Sequence, residues 1–432
     1  MSKPRVHWVS PIPTAETDIA HYTNRILPEL AETCELVLWT DASSWDRSLE
    51  RICPVRQLDP DRVTPADFAR MGSGQGADAI FVQIGNSWVF HAGLLRLVRR
   101  IPSIVVLHDL AIQEMSVDSI HNQLLDEDLY LDEMGHWYGA EGLKRAEAVL
   151  RGKARALDLA RDMPGFQITL DRAVSVLAHT PAAYQAVQGT GALPTYLLDL
   201  PFKPSPAAPP ATRAADGPLQ FVQFGYIGPN RRLEQVLEAL APLAQEIDFR
   251  FDIMGNVWDP RYVRDRVEAL GLSDRVEIHG FVPEPELDAR LAQAHLVFNL
   301  RYPTMGEASG SQLRIWNASA AAVVTDLGWY GSLPDETVFK IPLEDETAAL
   351  QDLVRRIACD RSLGADIATA GRARLEARHT PAIYAEAIAE VACAFPKDAQ
   401  SALLARSARC AIQNARVPDL YSERLASHID PK

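Results

Sequence analysis

The sequence is short of cysteine, of long apolar runs and of positive charge. Its five cysteines are scattered over 432 residues without the close spacing of a disulfide or zinc framework, so we expect reduced thiols. No apolar run approaches the roughly 18 residues that a membrane-spanning helix requires. The formal net charge of −14 at pH 7 disfavours a general nucleic-acid-binding protein. With 47% apolar and 23% charged residues, the chain is typical of a soluble globular protein.

Signatures of several other classes of protein are also missing. The chain has no HExxH motif, no clustered aspartate and histidine ligands and no GxSxG motif. We therefore expect neither a catalytic metal nor a serine nucleophile. The N-terminal residues run directly into a strand-like segment, 6–9, without a secretory signal peptide, so we expect a cytosolic protein.

Two series of alternating strands and helices are predicted. The first has strands at 5–10, 35–40, 79–84, 103–108 and 173–179. The second has strands at 219–225, 249–254, 275–279, 295–300 and 321–325, with helices at 232–243, 261–270, 284–294 and 312–319. Four further helices are predicted at 346–359, 362–378, 381–394 and 400–413.

This order predicts an α/β fold with two doubly wound sheets. Four prolines within 203–212 cannot join a sheet or a helix, so they indicate a linker. The predicted domains are 1–202 and 218–395, with the linker at 203–217 and a helical tail at 396–432 that packs back towards the N-terminal domain. Doubly wound sheets bind ligands at the carboxyl ends of their strands, so functional residues are expected in the loops that follow the strands.

An acid followed by small hydroxyl residues is the most informative pattern in the chain. After the strand at 295–300, a Pro/Gly turn leads to Glu307, and a helix then opens at Ala308, Ser309, Gly310 and Ser311. A helix start with free N–H groups favours a diphosphate, and a carboxylate accepts hydrogen bonds from sugar hydroxyls. A nucleotide sugar needs both features. The alternative is an acid that only stabilises the helix dipole.

Glycine turns follow three other strands of the second series. Gly225 leads through Asn230 to the pair Arg231 and Arg232, without a GxGxxG or P-loop motif. Glycine permits close approach to a phosphate, and Arg231 could neutralise it. The other two turns, at Gly255 and at Gly280, Phe281 and Val282, could present backbone groups to a planar base. Plain turns are the alternative in each case.

Polar side chains also end the strands of the first series. His108 and Asp109 follow one buried strand, and His179 ends the next. A histidine there can hydrogen-bond a sugar hydroxyl or stabilise developing charge, but a structural histidine is the alternative. Asn86 and Asp18 lie in two further loops at the same predicted edge.

In their order and spacing, these pieces resemble the GT-B glycosyltransferases, specifically the large retaining family commonly numbered four. The resemblance covers most of the chain and is strongest from Phe221 to Pro334. It implies two Rossmann-like domains that face a cleft, with the acceptor on the first and the nucleotide sugar on the second. In the first domain it includes the segment around Tyr22, which adds Tyr22 to Asp18, Asn86, Asp109 and His179 as acceptor-side candidates.

The resemblance also implies roles for single residues. Glu307 would bind the donor sugar, and Arg231 would neutralise the leaving phosphate. His108 would lie beside the anomeric centre. The remaining donor-binding candidates are Gly225, Asn230, Arg232, Gly255, Gly280, Phe281, Val282, Ala308, Ser309, Gly310 and Ser311. No cofactor and no metal is implied, since such enzymes are metal-independent.

Two positions depart from the family pattern. A second glutamate that usually binds ribose is replaced by Ile315, eight residues after Glu307. Arg232 or Arg314 could compensate. Asp18 stands where the N-terminal loop usually has a glycine, and a carboxylate near a diphosphate must point away or pair with a cation.

The function predicted from these residues is transfer of a hexosyl unit from a nucleotide sugar to a bacterial glycan, glycolipid or glycoprotein. A nucleotide-sugar epimerase or phosphorylase, and a non-catalytic nucleotide-sugar-binding protein, remain alternatives. The basic segment 143–155 indicates either peripheral contact with anionic lipid or an ordinary solvated helix face. The sequence does not determine the oligomeric state.

Overall fold

The computed structural model describes residues 3–69, 78–191, 193–205 and 216–414. Within these ranges the chain falls into two compact units. The first unit takes the residues up to Pro201, the short segment Met305–Ala308 and the helix that begins at Pro381. The second unit takes Phe202–Thr304 and Ser309–Thr380. Most of the predicted linker, 206–215, lies outside the described residues.

The first unit is built on a parallel sheet of seven strands. Their bounds are β1 (Arg5–Val9), β2 (Glu35–Thr40), β3 (Val55–Gln57), β4 (Asp78–Ile84), β5 (Ser103–Leu107), β6 (Ala173–Ala178) and β7 (Thr195–Leu197). Their spatial order is β3-β2-β1-β4-β5-β6-β7. Apolar clusters cover both faces of this sheet, which explains why its strands are apolar on both faces.

The second unit has a parallel sheet of six strands. Their bounds are β8 (Leu219–Phe224), β9 (Phe249–Met254), β10 (Val276–Gly280), β11 (Leu296–Phe298), β12 (Ala322–Thr325) and β13 (Phe339–Ile341). Their spatial order is β10-β9-β8-β11-β12-β13, around a single large apolar cluster. The predicted α/β fold with two doubly wound sheets is confirmed.

Helices surround both sheets. Those of the first unit are α1 (Asp18–Thr33), α2 (Pro65–Ala69), α3 (Trp88–Val98), α4 (Gln113–His121), α5 (Glu127–Leu150), α6 (Ala156–Asp162), α7 (Pro181–Gln188) and α15 (Pro381–Asn414). Those of the second are α8 (Leu233–Leu243), α9 (Pro260–Ala269), α10 (Glu284–Gln293), α11 (Gly310–Asn317), α12 (Gly328–Gly331), α13 (Glu346–Cys359) and α14 (Ser362–Arg378). Short 3-10 helices lie at Arg47–Arg51, Phe166–Thr169 and Pro229–Arg231.

Each of the ten predicted strands is present, with ends that shift by no more than two residues. The strands that the sequence analysis missed, β3, β7 and β13, have three residues each. Three residues are too few to show a period; β11, which also has three, was predicted because it lies inside the longer segment 295–300.

The C-terminal helix differs from the prediction. The sequence analysis predicted two separate helices, 381–394 and 400–413, and Pro396 lies between them. The structure instead has one continuous helix, α15, with Pro396 inside it. Tyr384, Ile388 and Val391 repeat at helical spacing and are buried in the same cluster as α1. This face places residues 381–395 in the first unit, whereas the predicted boundary lay at 395/396.

A helix that crosses a bilayer must be both long and apolar. Over the described part of the chain, no helix is both long and apolar enough to cross a membrane.

Candidate functional site

Three glycine turns lie side by side at the carboxyl edge of the second sheet. Gly225 follows β8 with φ +98° and donates its N–H to the Met254 carbonyl at 2.9 Å. Gly255 follows β9 with φ +131° and donates to the Gly280 carbonyl at 2.6 Å. A Cβ on Gly255 would lie 2.1 Å from the carbonyl oxygen of Gly225, so no side chain fits there. The turns therefore form a closely packed rim of backbone.

Two aromatic rings are exposed at the same edge. Tyr226 follows Gly225 and is 73% exposed, and Phe281 follows Gly280 and is 80% exposed. Val282 beside it is half-buried. Exposed rings of this size offer a flat apolar face on which a planar group can stack.

Arg231 points inward, which sequence reasoning did not anticipate. Its side chain is only 3% exposed, and its guanidinium donates to the Phe224 carbonyl at 2.9 Å and to Asn299 Oδ1 at 3.2 Å. Arginine stays protonated in proteins, so a full positive charge is held just under the β8–α8 loop.

Arg232 has a different environment. It has φ +59°, and it pairs with the buried carboxylate of Glu346 at 2.5 Å and 3.0 Å. The guanidinium also lies 5.8 Å from the ring centroid of Tyr302, whose N–H donates to the Asn230 carbonyl at 2.8 Å. Arg232 thus joins the loops after β8 and β11 to α13.

The position that usually carries a ribose-binding glutamate is not at the surface. Ile315 is fully buried on α11. Arg314 beside it donates to Asp288 at 2.8 Å and Glu284 at 2.9 Å. The two arginines that could compensate, Arg232 and Arg314, therefore both already bind carboxylates of the second unit.

The start of α11 has the geometry of an anion-binding helix end. Ser309 is the N-cap, and its Oγ accepts from the N–H of Gln312 at 3.1 Å. Gly310 is exposed and Ser311 half-buried, and their N–H groups belong to the first turn, where no intrahelical acceptor exists. Ala308 precedes the cap and is half-buried.

Glu307 lies in the four-residue segment that groups with the first unit. One carboxylate oxygen accepts from the N–H of Met305 at 2.6 Å, so the acid closes its own turn. Within this unit, the Met305 carbonyl accepts from the Ala111 N–H at 2.9 Å, and the Gly306 carbonyl accepts from Thr180 Oγ1 at 3.0 Å. The carboxylate is half-buried and held in one orientation.

His108 lies directly after β5, as predicted, and has a buried partner on β4. Its Nε2 is 2.9 Å from Gln83 Oε1. Burial first, and then the nearby His179 and His91, hold the pKa of His108 well below its usual range. The ring is therefore neutral at pH 7.

Tyr22 and His179 lie inside the first unit, although the sequence placed them on the acceptor side. The Tyr22 hydroxyl hydrogen-bonds that of Tyr384 at 2.6 Å, and Tyr22 is only 5% exposed. His179 Nδ1 donates to the Leu198 carbonyl at 3.0 Å, and burial lowers its pKa to about 4. These rings, with His108, form a packed aromatic cluster that supports the strand ends.

The other acceptor-side candidates differ in exposure. Asn86 donates its N–H to Asp109 at 2.8 Å and its amide to Glu114 at 2.9 Å, and its Oδ1 accepts from the Met115 N–H. Asn86 and Asp109 therefore organise the start of α4. Asp18 is exposed in the first turn of α1, where a carboxylate complements the helix dipole.

One cluster outside these loops has the composition of a metal site. Asp252, Glu277 and His279 bring ligand atoms within 4.8 Å of one another, which the sequence analysis did not anticipate. The Asp252 carboxylate already accepts from His279 at 2.7 Å and from Arg290 at 3.3 Å. The carboxylate of Asp252 on β9 therefore already has hydrogen-bond partners on β10 and α10.

Acids within and near the basic segment 143–155 offset its charge. The ion pairs there are Lys144 with Glu141 at 3.9 Å, Arg145 with Asp162 at 3.0 Å, Arg151 with Glu147 at 3.1 Å and Arg155 with Asp158 at 2.7 Å. A surface paired in this way favours a solvated helix face over contact with anionic lipid.

Several residues of the site escaped sequence reasoning. Gln83 and Gln223 occupy equivalent positions in the similar runs Phe81–Ile84 and Phe221–Phe224, and Gln223 Nε2 donates to the Arg231 carbonyl at 2.9 Å. A glutamine in an otherwise apolar strand, just before a glycine, was the signal available for both. No such signal marked Asn299, which directly follows β11, or Gln312, which follows a cap already rich in polar residues.

Known proteins resemble this chain in sequence and in fold. Residues 205–313 match the model of the family described as glycosyl transferases group 1. A proposed colanic acid biosynthesis glycosyltransferase, WcaL of Escherichia coli K12, is 27% identical over 184 residues, which cover 40% of this chain. The match spans only 44% of that relative's length.

Solved structures resemble nearly the whole chain. HepE of Anabaena, solved with UDP, superposes with a TM-score of 0.57 at 16% identity, covering 90% of this chain and 99% of that one. Sucrose-phosphate synthase of Thermosynechococcus elongatus gives 0.60 at 15% identity, covering 90% and 98%. The predicted resemblance to group 1 glycosyl transferases is thus confirmed over residues 205–313, and the architecture is that of the GT-B glycosyltransferases.

Proposed function

We propose that this protein is a retaining glycosyltransferase that moves a hexosyl unit from a nucleoside diphosphate sugar to a glycan or glycoconjugate acceptor. One observation carries the proposal. The second sheet collects at one edge three glycine turns, the buried cation Arg231 and the capped start of α11. Anion-binding groups beside closely packed backbone are the combination that a nucleoside diphosphate requires.

The diphosphate is bound by fixed charge and not by a metal in this proposal. The N–H groups of Gly310 and Ser311 lie at the positive end of α11, and Arg231 adds a full charge. Preorganised donors of this kind stabilise a leaving phosphate without reorganisation during the reaction. We therefore expect turnover to survive chelation of divalent metals.

Glu307 and His108 are the residues that we propose for contact with the sugar. Glu307 keeps a fixed orientation through the Met305 N–H, and a carboxylate can accept further hydrogen bonds from sugar hydroxyls. His108 is neutral, so it can hydrogen-bond near the anomeric carbon without adding a charge to a buried environment. The similarity to WcaL, whose name refers to colanic acid biosynthesis, supports a polysaccharide acceptor.

A non-catalytic nucleotide-sugar-binding protein is the second candidate. Burial of Ile315 favours it, because no acid is available at the position that usually holds ribose. A thermal-shift titration with UDP, GDP, dTDP, ADP and CMP, followed by a turnover assay with the sugar of the preferred nucleotide, separates the candidates. Stabilisation with turnover supports the transferase, stabilisation without turnover supports the binding protein, and the absence of any shift contradicts both.

A further inference from the structure

A buried chain of hydrogen bonds connects Arg231 to the first turn of α11. The guanidinium donates to Asn299 Oδ1 at 3.2 Å, and Asn299 Nδ2 donates to Gln312 Oε1 at 2.9 Å. The backbone N–H of Gln312 then donates to Ser309 Oγ at 3.1 Å. All four residues are at most 4% exposed. The chain spans the loop after β8, the end of β11 and the cap of α11.

The direction of the hydrogen bonds between the side chains of Arg231, Asn299 and Gln312 follows from the cation. A guanidinium has only donors, so the oxygen of the Asn299 amide must face Arg231. The nitrogen of the same amide must then face Gln312, which fixes the Gln312 oxygen towards it. Reversing the Asn299 amide would set donors against donors at the arginine and acceptors against acceptors at the glutamine. The network therefore has one orientation.

Stability alone does not account for such a network. Burying two amides and a cation costs desolvation energy, and apolar side chains of similar volume often replace buried polar networks without loss. What an apolar pair could not do is hold the guanidinium in one position. A neutral amide also leaves the charge of Arg231 undiminished, whereas a carboxylate at position 299 would pair with it.

We propose that Asn299 and Gln312 are positioning residues, which hold the Arg231 guanidinium in a fixed relation to the start of α11. The charge of Arg231 and the positive end of the helix then act on the same diphosphate. This inference rests on the proposed function and extends it to two residues to which neither the sequence pattern nor the family resemblance assigned a role.

The test is a change of charge without a change of shape. Asn299→Asp retains an oxygen for Arg231 but pairs with its charge and cannot donate to Gln312. We expect at least a tenfold weaker affinity for the nucleoside diphosphate and for inorganic pyrophosphate, measured by calorimetry, with no fall in Tm. In the turnover assay the donor KM should rise more than the acceptor KM.

Asn317→Asp is a matched control at the other end of α11. Asn317 Oδ1 accepts from Arg372 at 2.9 Å, so the same substitution creates the same kind of arginine–aspartate pair on the same helix. We expect unchanged pyrophosphate affinity in this variant. Equal affinities for Asn299→Asp and Asn317→Asp would overturn the positioning role.

Gln312→Leu provides a second, independent test, which decides the matter if Asn299→Asp does not fold. It removes the acceptor for Asn299 Nδ2 at similar volume and adds no charge. We expect a severalfold weaker diphosphate affinity, and an unchanged affinity in a folded variant would contradict the proposal. If the wild-type protein binds none of UDP, GDP, dTDP, ADP or pyrophosphate, the proposed function itself fails, and the positioning role fails with it.

Discussion

Gln83 Oε1 lies 2.9 Å from His108 Nε2, so an amide on β4 orients a histidine at the end of β5. The contact also keeps the ring in a neutral environment, because an amide oxygen adds no charge beside it. The tautomer with the proton on Nε2 is the one that this contact supports. Because β4 and β5 are neighbours in the first sheet, Gln83 can set the protonation state of His108, a candidate catalytic residue.

Gln83→Glu should shift the pH dependence of the activity. A carboxylate beside His108 favours the imidazolium, so the pKa of the histidine should rise from well below its usual range by at least one unit. The acidic limb of the pH profile of kcat/KM should then move to higher pH. Gln83→Met, which adds no charge, is the control. A Gln83→Glu profile that superposes on the wild-type profile would remove His108 from the reaction.

Glu307→Gln should reduce kcat/KM by about 100-fold, because hydrogen bonds from sugar hydroxyls to a charged carboxylate are stronger than those to an amide. The amide oxygen can still accept from the Met305 N–H, so Tm should change little. Glu307→Ala loses both interactions and should lower Tm slightly as well. Wild-type turnover in Glu307→Gln would show that the acid only closes its turn.

Four histidines of the first unit with lowered pKa values should make it unstable in mild acid. Burial lowers the pKa of His7, His91 and His179 to about 4, and that of His108 lies well below its usual range. Their folded pKa values lie below the unfolded value of about 6.5, so the unfolded chain binds more protons as pH falls from about 6.5 to 4. Each histidine should therefore cost about 1.4 kcal/mol of stability per pH unit in this window.

Chemical denaturation of the first unit at pH 7, 6 and 5 would measure this loss. His7→Gln can still accept from the Trp39 indole N–H, which lies 3.0 Å from His7 Nδ1. In this variant the slope of the free energy of unfolding against pH should be smaller by the contribution of about one histidine. A slope identical to that of the wild type would mean that His7 does not contribute.

Gly255→Ala should unfold or distort the second unit and abolish nucleotide binding. The added Cβ would lie 2.1 Å from the Gly225 carbonyl oxygen, at a backbone φ of +131° that alanine rarely adopts. Gly310→Ala is the control for folding, because a Cβ there has no neighbour within 4 Å and alanine is favourable in a helix. A soluble Gly255→Ala protein with wild-type Tm and nucleotide affinity would contradict this account of the rim.

Arg232→Ala should destabilise the second unit by about 3 kcal/mol, because it leaves the carboxylate of Glu346 buried without its partner. Glu346→Gln should restore much of that loss in the double variant, since a neutral amide is less costly to bury. A double-mutant cycle from urea denaturation measures the coupling. Additive losses would show that the pair contributes nothing as a pair.

Much of the fold could be predicted from local pattern. Most of the ten predicted strands are apolar and buried, a property that parallel strands covered by helices require. The same logic placed His108, Gly225 and Gly255 after their strands. It failed at Pro396, where the packing of α15 on α1 outweighs the preference of one proline.

The contacts of the site residues followed from packing over long separations. Tyr22 meets Tyr384 across 362 residues, so no local pattern could show that its hydroxyl is enclosed. Arg231 meets Asn299 across 68 residues, and only the neighbouring positions of β8 and β11 bring them together. The local sequence therefore identifies the chemical groups of the site, and the order of the strands determines which residues these groups contact.

Sequence by itself determined ten of the strands, with their ends to within two residues, and most of the helices. It also determined that glycine turns, an arginine pair and a serine-rich helix start follow strands of the second unit. Those properties depend on period and on residue type, both of which are local. Tertiary structure alone decided that Arg231 is buried against Asn299, that Arg232 binds Glu346 and that Tyr22 belongs to the core. These outcomes depend on which strands and helices lie side by side, and distant parts of the chain determine that together.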